Sequence, residues 1–256
     1  MPNQITLLGV GSSSGTPVVG CHCSTCESTD PKNKRTRCSS LITLSNGKNI
    51  LIDASPDLRE QSLREGLKSI DAVLFTHSHA DHCHGIDDLR AFCQINQKQI
   101  PIFSNKFAID QMVNKFEYAM IEPKNYWETP VLKPNIIEEP FEIYGETIIP
   151  VPVNHGRWSI NGYRVGALAY ITDVSEIPES SMELLGGLDV LLLDCLRNEP
   201  HFSHLCYSES ISIAQKINAK ETYLIHMTHE LEYNSLNKTL PEGIFVGYDG
   251  LKLQAN

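Results

Sequence analysis

The sequence predicts an α/β protein in which two packed β-sheets are covered by helices. Three observations lead there. Apolar, β-prone runs alternate with helical stretches along the whole length. Hairpin signals occur in both halves. No Gly/Ser linker, low-complexity tract or long-period repeat divides the chain, so residues 1–256 are expected to form a single domain.

The elements follow in order. Ile5–Gly11 reads as a first strand. Ser39–Leu44 and Lys48–Asp53 flank Asn46-Gly47, a strong two-residue hairpin signal. Pro56–Leu67 reads as a helix, Ala72–Thr76 as a buried strand, Gly85–Ile95 as a helix and Ile100–Ser104 as a strand. Residues 105–135, with Phe107, Met112, Phe116, Tyr118 and Trp127, are expected to make a mainly helical excursion ending in a proline-rich loop. Phe141–Tyr144 and Thr147–Val153 flank Gly145 as another hairpin. Tyr163–Thr172, Val190–Asp194, Thr222–Ile225 and Ile244–Gly247 are further strands, and Ser208–Ile217 is a helix.

Composition narrows the function classes. At 256 residues and 41% hydrophobic, the chain can bury a full core. A net charge of −10 offers no basic footprint, so bulk nucleic-acid binding is not expected. Residues 1–15 carry no basic leader, and the apolar run Ile5–Val10 is too short for a signal peptide. No stretch approaches the ~20 apolar residues of a membrane span. A cytoplasmic protein without membrane partners is expected.

Eight cysteines are present, and their placement argues against disulfides. Cys21, Cys23 and Cys26 form C-x-C-x2-C in one loop, too close to bridge one another without strain. Three thiolates there make a structural zinc site that lacks a fourth ligand. His22, Cys38 and a distant residue such as His229 are the candidates, within a Cys-rich zinc loop at 20–38. Cys83, Cys93, Cys195 and Cys206 read as small buried hydrophobes.

The most informative stretch is His77-Ser78-His79-Ala80-Asp81-His82, directly after the apolar run Ala72–Thr76. Imidazoles and carboxylates are the usual ligands of Zn²⁺, Mn²⁺ or Fe. In extended chain His77 and His79 point the same way and can share one ion. A helix start just after them would redirect Asp81 and His82 toward a second ion. Such a pattern arises by chance about once in a thousand chains of this composition. His155, Asp173 and His226 each follow an apolar strand, where side chains of neighbouring strands converge.

The ordered set His77, His79, Asp81, His82, His155, Asp173 and His226 resembles the metallo-β-lactamase superfamily over nearly the whole chain, from Gly9-Val10-Gly11 to Gly247-Tyr248-Asp249-Gly250. Gly20-Cys21-His22-Cys23-Ser24-Thr25-Cys26 and His226-Met227-Thr228-His229 are similar to the branch that includes phosphoribosyl 1,2-cyclic phosphate phosphodiesterase. The resemblance implies a four-layer αβ/βα sandwich and a homodimer as an option. It also implies a structural zinc on Cys21, Cys23, Cys26 and His229. His77, His79 and His155 would hold one catalytic ion (Zn or Mn), and Asp81, His82 and His226 the other, with Asp173 bridging. Asp53 would hydrogen-bond a ligand histidine. His204, in the segment 197–204, would hydrogen-bond the phosphate or protonate the leaving alkoxide, and Asp81 and His204 are the residues assigned to catalysis.

Two divalent ions, two carboxylates and a bridging hydroxide would leave one positive charge, which suits a small, singly negative phosphodiester. The competing readings are a thioester or lactam hydrolase, a di-iron oxygen reductase, a tRNA 3′-end endonuclease and a carrier of the pyrroloquinoline quinone biosynthesis type. Asp173 in place of a bridging cysteine argues against the first, and His79 in place of glutamate against the second. The acidic charge weighs against the third and the complete ligand set against the fourth.

Overall fold

The structure is a computed structural model that describes residues 2–121 and 131–255; Trp127, named above, lies outside them. Its strands are β1 (Asn3–Gly9), β2 (Ser39–Thr43), β3 (Asn49–Ile52), β4 (Ala72–Leu74), β5 (Ile100–Ser104), β6 (Leu132–Ile136), β7 (Phe141–Ile143), β8 (Glu146–His155), β9 (Trp158–Val165), β10 (Leu168–Ile171), β11 (Val190–Asp194), β12 (Glu221–Ile225), β13 (Ile244–Val246) and β14 (Lys252–Ala255). The helices are α1 (Leu58–Glu65), α2 (Ala80–Cys83), α3 (Leu89–Asn96), α4 (Lys106–Lys115), α5 (Glu117–Met120), α6 (Glu179–Met182), α7 (Tyr207–Ile217) and α8 (Tyr233–Asn237). Among the described residues, no helix is long and apolar enough to cross a membrane.

Two seven-stranded sheets run β14-β1-β2-β3-β4-β5-β6 and β7-β8-β9-β10-β11-β12-β13. Read in that direction, each has three antiparallel pairings followed by three parallel ones. The sheets pack face to face. Ile5, Leu7, Ile42, Ile50, Ile52 and Leu74 of the first meet Val151, Val153, Tyr163, Val165 and Ile171 of the second. The intervening residues Leu8, Leu41, Leu51 and Val73 point the other way, against Leu58 of α1, Phe92 of α3 and Met112 of α4. Helix α7 packs on β11. The result is the expected αβ/βα sandwich of four layers. Strands such as Asn49-Ile50-Leu51-Ile52 read as unbroken apolar runs because both of their faces are covered.

Several boundaries differ from the sequence reading. The expected strand Tyr163–Thr172 is two strands, with Val165 paired to Leu168 across a tight turn in which Gly166 has φ +57°. The expected proline-rich loop ends in β6, where Pro134 is tolerated because the strand lies at the sheet edge. β14 carries no strong sequence signal and is recruited by pairing with β1. The expected helix Gly85–Ile95 begins as a 3-10 turn, Ile86–Asp88, before α3.

Candidate metal centre

The strand ends of both sheets open onto one edge. β4 runs into His77, β8 ends at His155, β12 runs into His226, and Asp53 and Asp173 follow the fourth strand of their respective sheets, β3 and β10. Asp53, Asp173 and His226 have φ of 60°, 55° and 59°. This left-handed backbone costs a non-glycine residue roughly 1–2 kcal/mol. It turns each side chain back across the strand end rather than away from it. The helix start anticipated within the motif is α2, which carries Asp81 and His82 round behind His79. Gly85 lets this turn lie on the Asp53 loop: a Cβ there would fall 2.0 Å from the Ser55 carbonyl oxygen.

All seven predicted ligands meet. The ligand atoms of His77, His79 and His155 lie within 4.8 Å of one another, as do those of Asp81, His82, Asp173 and His226. Asp173 joins the two sets: one carboxylate oxygen is 3.9 Å from His77 Nε2 and 3.5 Å from His226 Nε2, the other 3.1 Å from His82 Nε2. Asp81 lies 3.4 Å from His82 Nε2 and 3.7 Å from His226 Nε2.

The opposite ring atoms of His77, His82 and His155 are held by the protein. His82 Nδ1 is 2.7 Å from Asp53, which also accepts from the Thr76 N–H and hydroxyl at 2.8 Å each. Because the Thr76 hydroxyl donates to Asp53, it accepts from His77 Nδ1 at 2.9 Å. One buried carboxylate therefore orients a histidine of each set. His155 Nδ1 donates to the Ser203 carbonyl at 2.8 Å. In each case Nε2 is left with its lone pair toward the cage.

Two observations say that this cage fits divalent cations. The Nε2 atoms of His77, His82 and His226 are buried without a hydrogen-bond partner, a costly state for a polar atom unless something coordinates it. Asp53, Asp81, Asp173 and Asp194 also crowd the cage, with only histidine as ionic partner among the described residues. Buried charge needs neutralising, and two divalent ions would supply four positive charges against four negative. Burial lowers His77, His79 and His155 below the usual imidazole value and keeps them neutral, the coordinating form. Burial also opposes charge on His82 and His226, but the carboxylates outweigh it. Asp173, Asp81 and Asp53 carry His82 well above its usual value, and Asp173, Asp81 and Asp194 carry His226 to about 9.

His204 belongs to this edge and not to an exposed loop. It is 9% exposed, its ring stacks on His226 at 4.9 Å and 8°, and its Nε2 is 3.8 Å from Asp173. Asp194 lies 3.4 Å from Nδ1 of both His204 and His226. Sequence reasoning missed Asp194, although it ends an apolar strand as a ligand would. It also missed Trp158 and Phe202, for which no spacing signal exists. His22 and His84 stay outside: His22 pairs with Glu27 at 3.0 Å, and His84 packs on Phe116.

The second cluster resolves the choice left open among His22, Cys38 and His229. The Sγ atoms of Cys21, Cys23 and Cys26 lie 3.3, 3.3 and 3.4 Å from His229 Nδ1. A tetrahedron with zinc–ligand bonds of about 2.3 Å to sulfur and 2.0 Å to nitrogen has an S···N edge of about 3.5 Å. Cys38 is buried in the core between the sheets. The Cys26 N–H, together with His229, lowers Cys23 to about 6, whereas burial raises Cys26 to about 11; a zinc ion would hold both as thiolates. Buried Arg35 ties the same corner together by donating to the Thr228 and Leu231 carbonyls.

The family model of the β-lactamase superfamily domain matches residues 48–227, the span that holds all seven cage ligands. The chain belongs to the metallo-β-lactamase superfamily. Within the superfamily it is similar to the crystal structure of a diphosphatase from the PhnP family, with a TM-score of 0.92 and 42% identity over 98% of this chain and 97% of that one. It shares the fold of Zn²⁺-bound PqqB from Methylobacterium extorquens, with a TM-score of 0.81 and 21% identity over 98% and 99% of the two chains. An octanoyltransferase of Porphyromonas gingivalis is 38% identical over 250 residues, 96% of this chain and 50% of that protein. The chain therefore spans half the length of that relative.

Proposed function

We propose that the protein is a dimetal hydrolase of small phosphodiesters, with Zn²⁺ or Mn²⁺ as the catalytic pair and one structural zinc on Cys21, Cys23, Cys26 and His229. The observation that carries the reading is Asp173, whose two oxygens face histidines of both ligand sets while His204 stands beside it with Nε2 turned to the same oxygen. Paired divalent ions held there would lower the pKa of a water and stabilise the charge of an in-line displacement at phosphorus. The PhnP-family neighbour is named a diphosphatase, which supports chemistry at phosphorus over a carbonyl.

The residues supply the rest. Asp53 and Asp194 lie on the Nδ1 side of their imidazoles, so the face that meets substrate carries only Asp81 and Asp173 against the cations and receives an anionic diester. Asp194 lies 3.4 Å from Nδ1 of His204, and Nε2, on the opposite side of the ring, would give a proton to the departing alkoxide or hold a phosphate oxygen. Asp81, beside His82 and His226, would hold the second ion.

The test is hydrolysis of bis(p-nitrophenyl) phosphate by apo-protein reloaded with Mn²⁺ or Zn²⁺, beside a thioester and a β-lactam. Turnover of the diester with two ions bound supports the reading. Turnover of the thioester or lactam alone, or binding without turnover of any of the three, overturns it.

A further inference from the structure

We infer that helix α4 braces the first ion's ligand set, with Lys115 and Phe107 as positioning residues for His79. The inference rests on the dimetal reading above. Among the ligand histidines, His79 most needs such a brace. Nδ1 of His77, His82 and His155 is tied to a protein oxygen, and His226 Nδ1 lies 3.4 Å from Asp194. The His79 ring makes ring contacts but no hydrogen bond among the described residues, and it alone of this set is only half-buried. A side chain free to turn must be ordered when the ion binds, and that entropy is lost from the affinity unless packing has ordered it beforehand.

Helix α4 reaches His79 from both of its ends. At the C-terminal end, Lys115 Nζ donates to the Ser78 carbonyl at 2.6 Å. Ser78 stands between His77 and His79, so this charge-assisted bond fixes the peptide plane from which His79 projects. The Cys83 thiol donates to the same oxygen at 3.3 Å. At the N-terminal end, Phe107 lies 5.7 Å from Trp158, whose ring lies 4.8 Å from that of His79 at 47°. Asn105, the N-cap of α4, donates to the Ser159 carbonyl at 3.3 Å and so holds the start of β9, which presents Trp158. His79, Trp158 and Phe202 line one cavity of ≈ 620 Å³, so the indole supplies packing that the cavity side of the imidazole would otherwise lack. The helix is itself fixed, because Ala108, Ile109 and Met112 are buried in one cluster with Phe92 and Leu132.

The experiment is competition between a graded chelator and the protein for Mn²⁺, with Asp81→Ala identifying the binding step that belongs to the second ion. Lys115→Met should weaken the other step by about 10-fold, the low end of the range for residues that support metal ligands, because the Cys83 thiol still meets the Ser78 carbonyl. Phe107→Ala should weaken the same step by a similar factor. Lys115→Arg keeps a cationic donor and should restore most of the loss. The step that Asp81→Ala removes should keep its parental affinity. The Tm of the metal-free variants should match that of the metal-free parent, since Lys115 and Phe107 are exposed and lie outside the core. Equal weakening of both steps, loss at the Asp81-dependent step alone, or no loss at either overturns the inference, while two bound ions leave the dimetal reading standing. Parental affinity with a raised KM would make Lys115 a contact for substrate, which also overturns it. A parent that binds no ion in the cage overturns the dimetal reading and the inference with it.

Discussion

Asp53 offers the sharpest test of how the cage is organised, because it touches no predicted ion yet governs one ligand of each set. It is fully buried and accepts three hydrogen bonds, from His82 Nδ1, the Thr76 N–H and the Thr76 hydroxyl, the last of which relays to His77. Asp53→Asn keeps the size and suits φ 60°, since asparagine tolerates left-handed backbone. It cannot satisfy all three donors. If the amide oxygen faces His82, the amide NH₂ opposes the Thr76 N–H. If the NH₂ faces His82, the ring must move its proton to Nε2 and lose its lone pair toward the cage. Either arrangement leaves a buried polar clash or a lost charge-assisted bond, worth about 1–3 kcal/mol. At 1.4 kcal/mol per decade, that is a loss of roughly 5- to 150-fold in affinity, in line with the 10–100-fold typical of residues that support metal ligands. Competition with a graded chelator, followed by metal analysis, reads the affinity directly, and circular dichroism checks the fold. Both ions retained within about two-fold of parental affinity would refute the relay and return Asp53 to an ordinary strand-end turn.

Three further outcomes are expected. Asp81→Ala should remove much of the affinity for the second ion while the protein stays folded, because removing Asp81 takes an uncompensated carboxylate out of the cage rather than an apolar contact out of the core; two full-occupancy cage ions in the variant would refute the ligand assignment. His204→Ala should lower kcat by ~10²–10⁴ for a diester with an alkyl leaving group and far less for a p-nitrophenyl diester, which needs no proton, with metal content unchanged. Equal losses on both substrates would make His204 a phosphate-positioning group, and no loss on either would remove it from the reaction. Cys23→Ser should release the structural zinc and lower Tm before activity falls, since the loop it pins carries both His226 and His229; unchanged zinc content and Tm would exclude Cys23 as a ligand.

Much of the site was legible in the sequence because its ligands are tied to local pattern. His77, His79, Asp81 and His82 sit within six residues, and the apolar run before them and the short helix α2 set their directions locally. His155, Asp173 and His226 announce themselves by ending apolar strands, and the alternation of those strands with helices announces the sandwich. What stayed hidden depends on distant parts of the chain meeting. His229 lies 208 residues from Cys21, so spacing alone could not separate it from His22 or Cys38, and only the family resemblance singled it out. The link from Asp53 through Thr76 to His77 and directly to His82 exists only because β3 and β4 are parallel neighbours. Asp194 gains meaning from lying between His204 and His226, and Trp158 and Phe202 from facing one cavity. Residue types and short-range spacing thus determined which chemistry the chain could hold, while long-range packing of the two sheets decided which atoms converge, because only burial at their shared edge fixes ring orientation, charge balance and the cavity beside the ions.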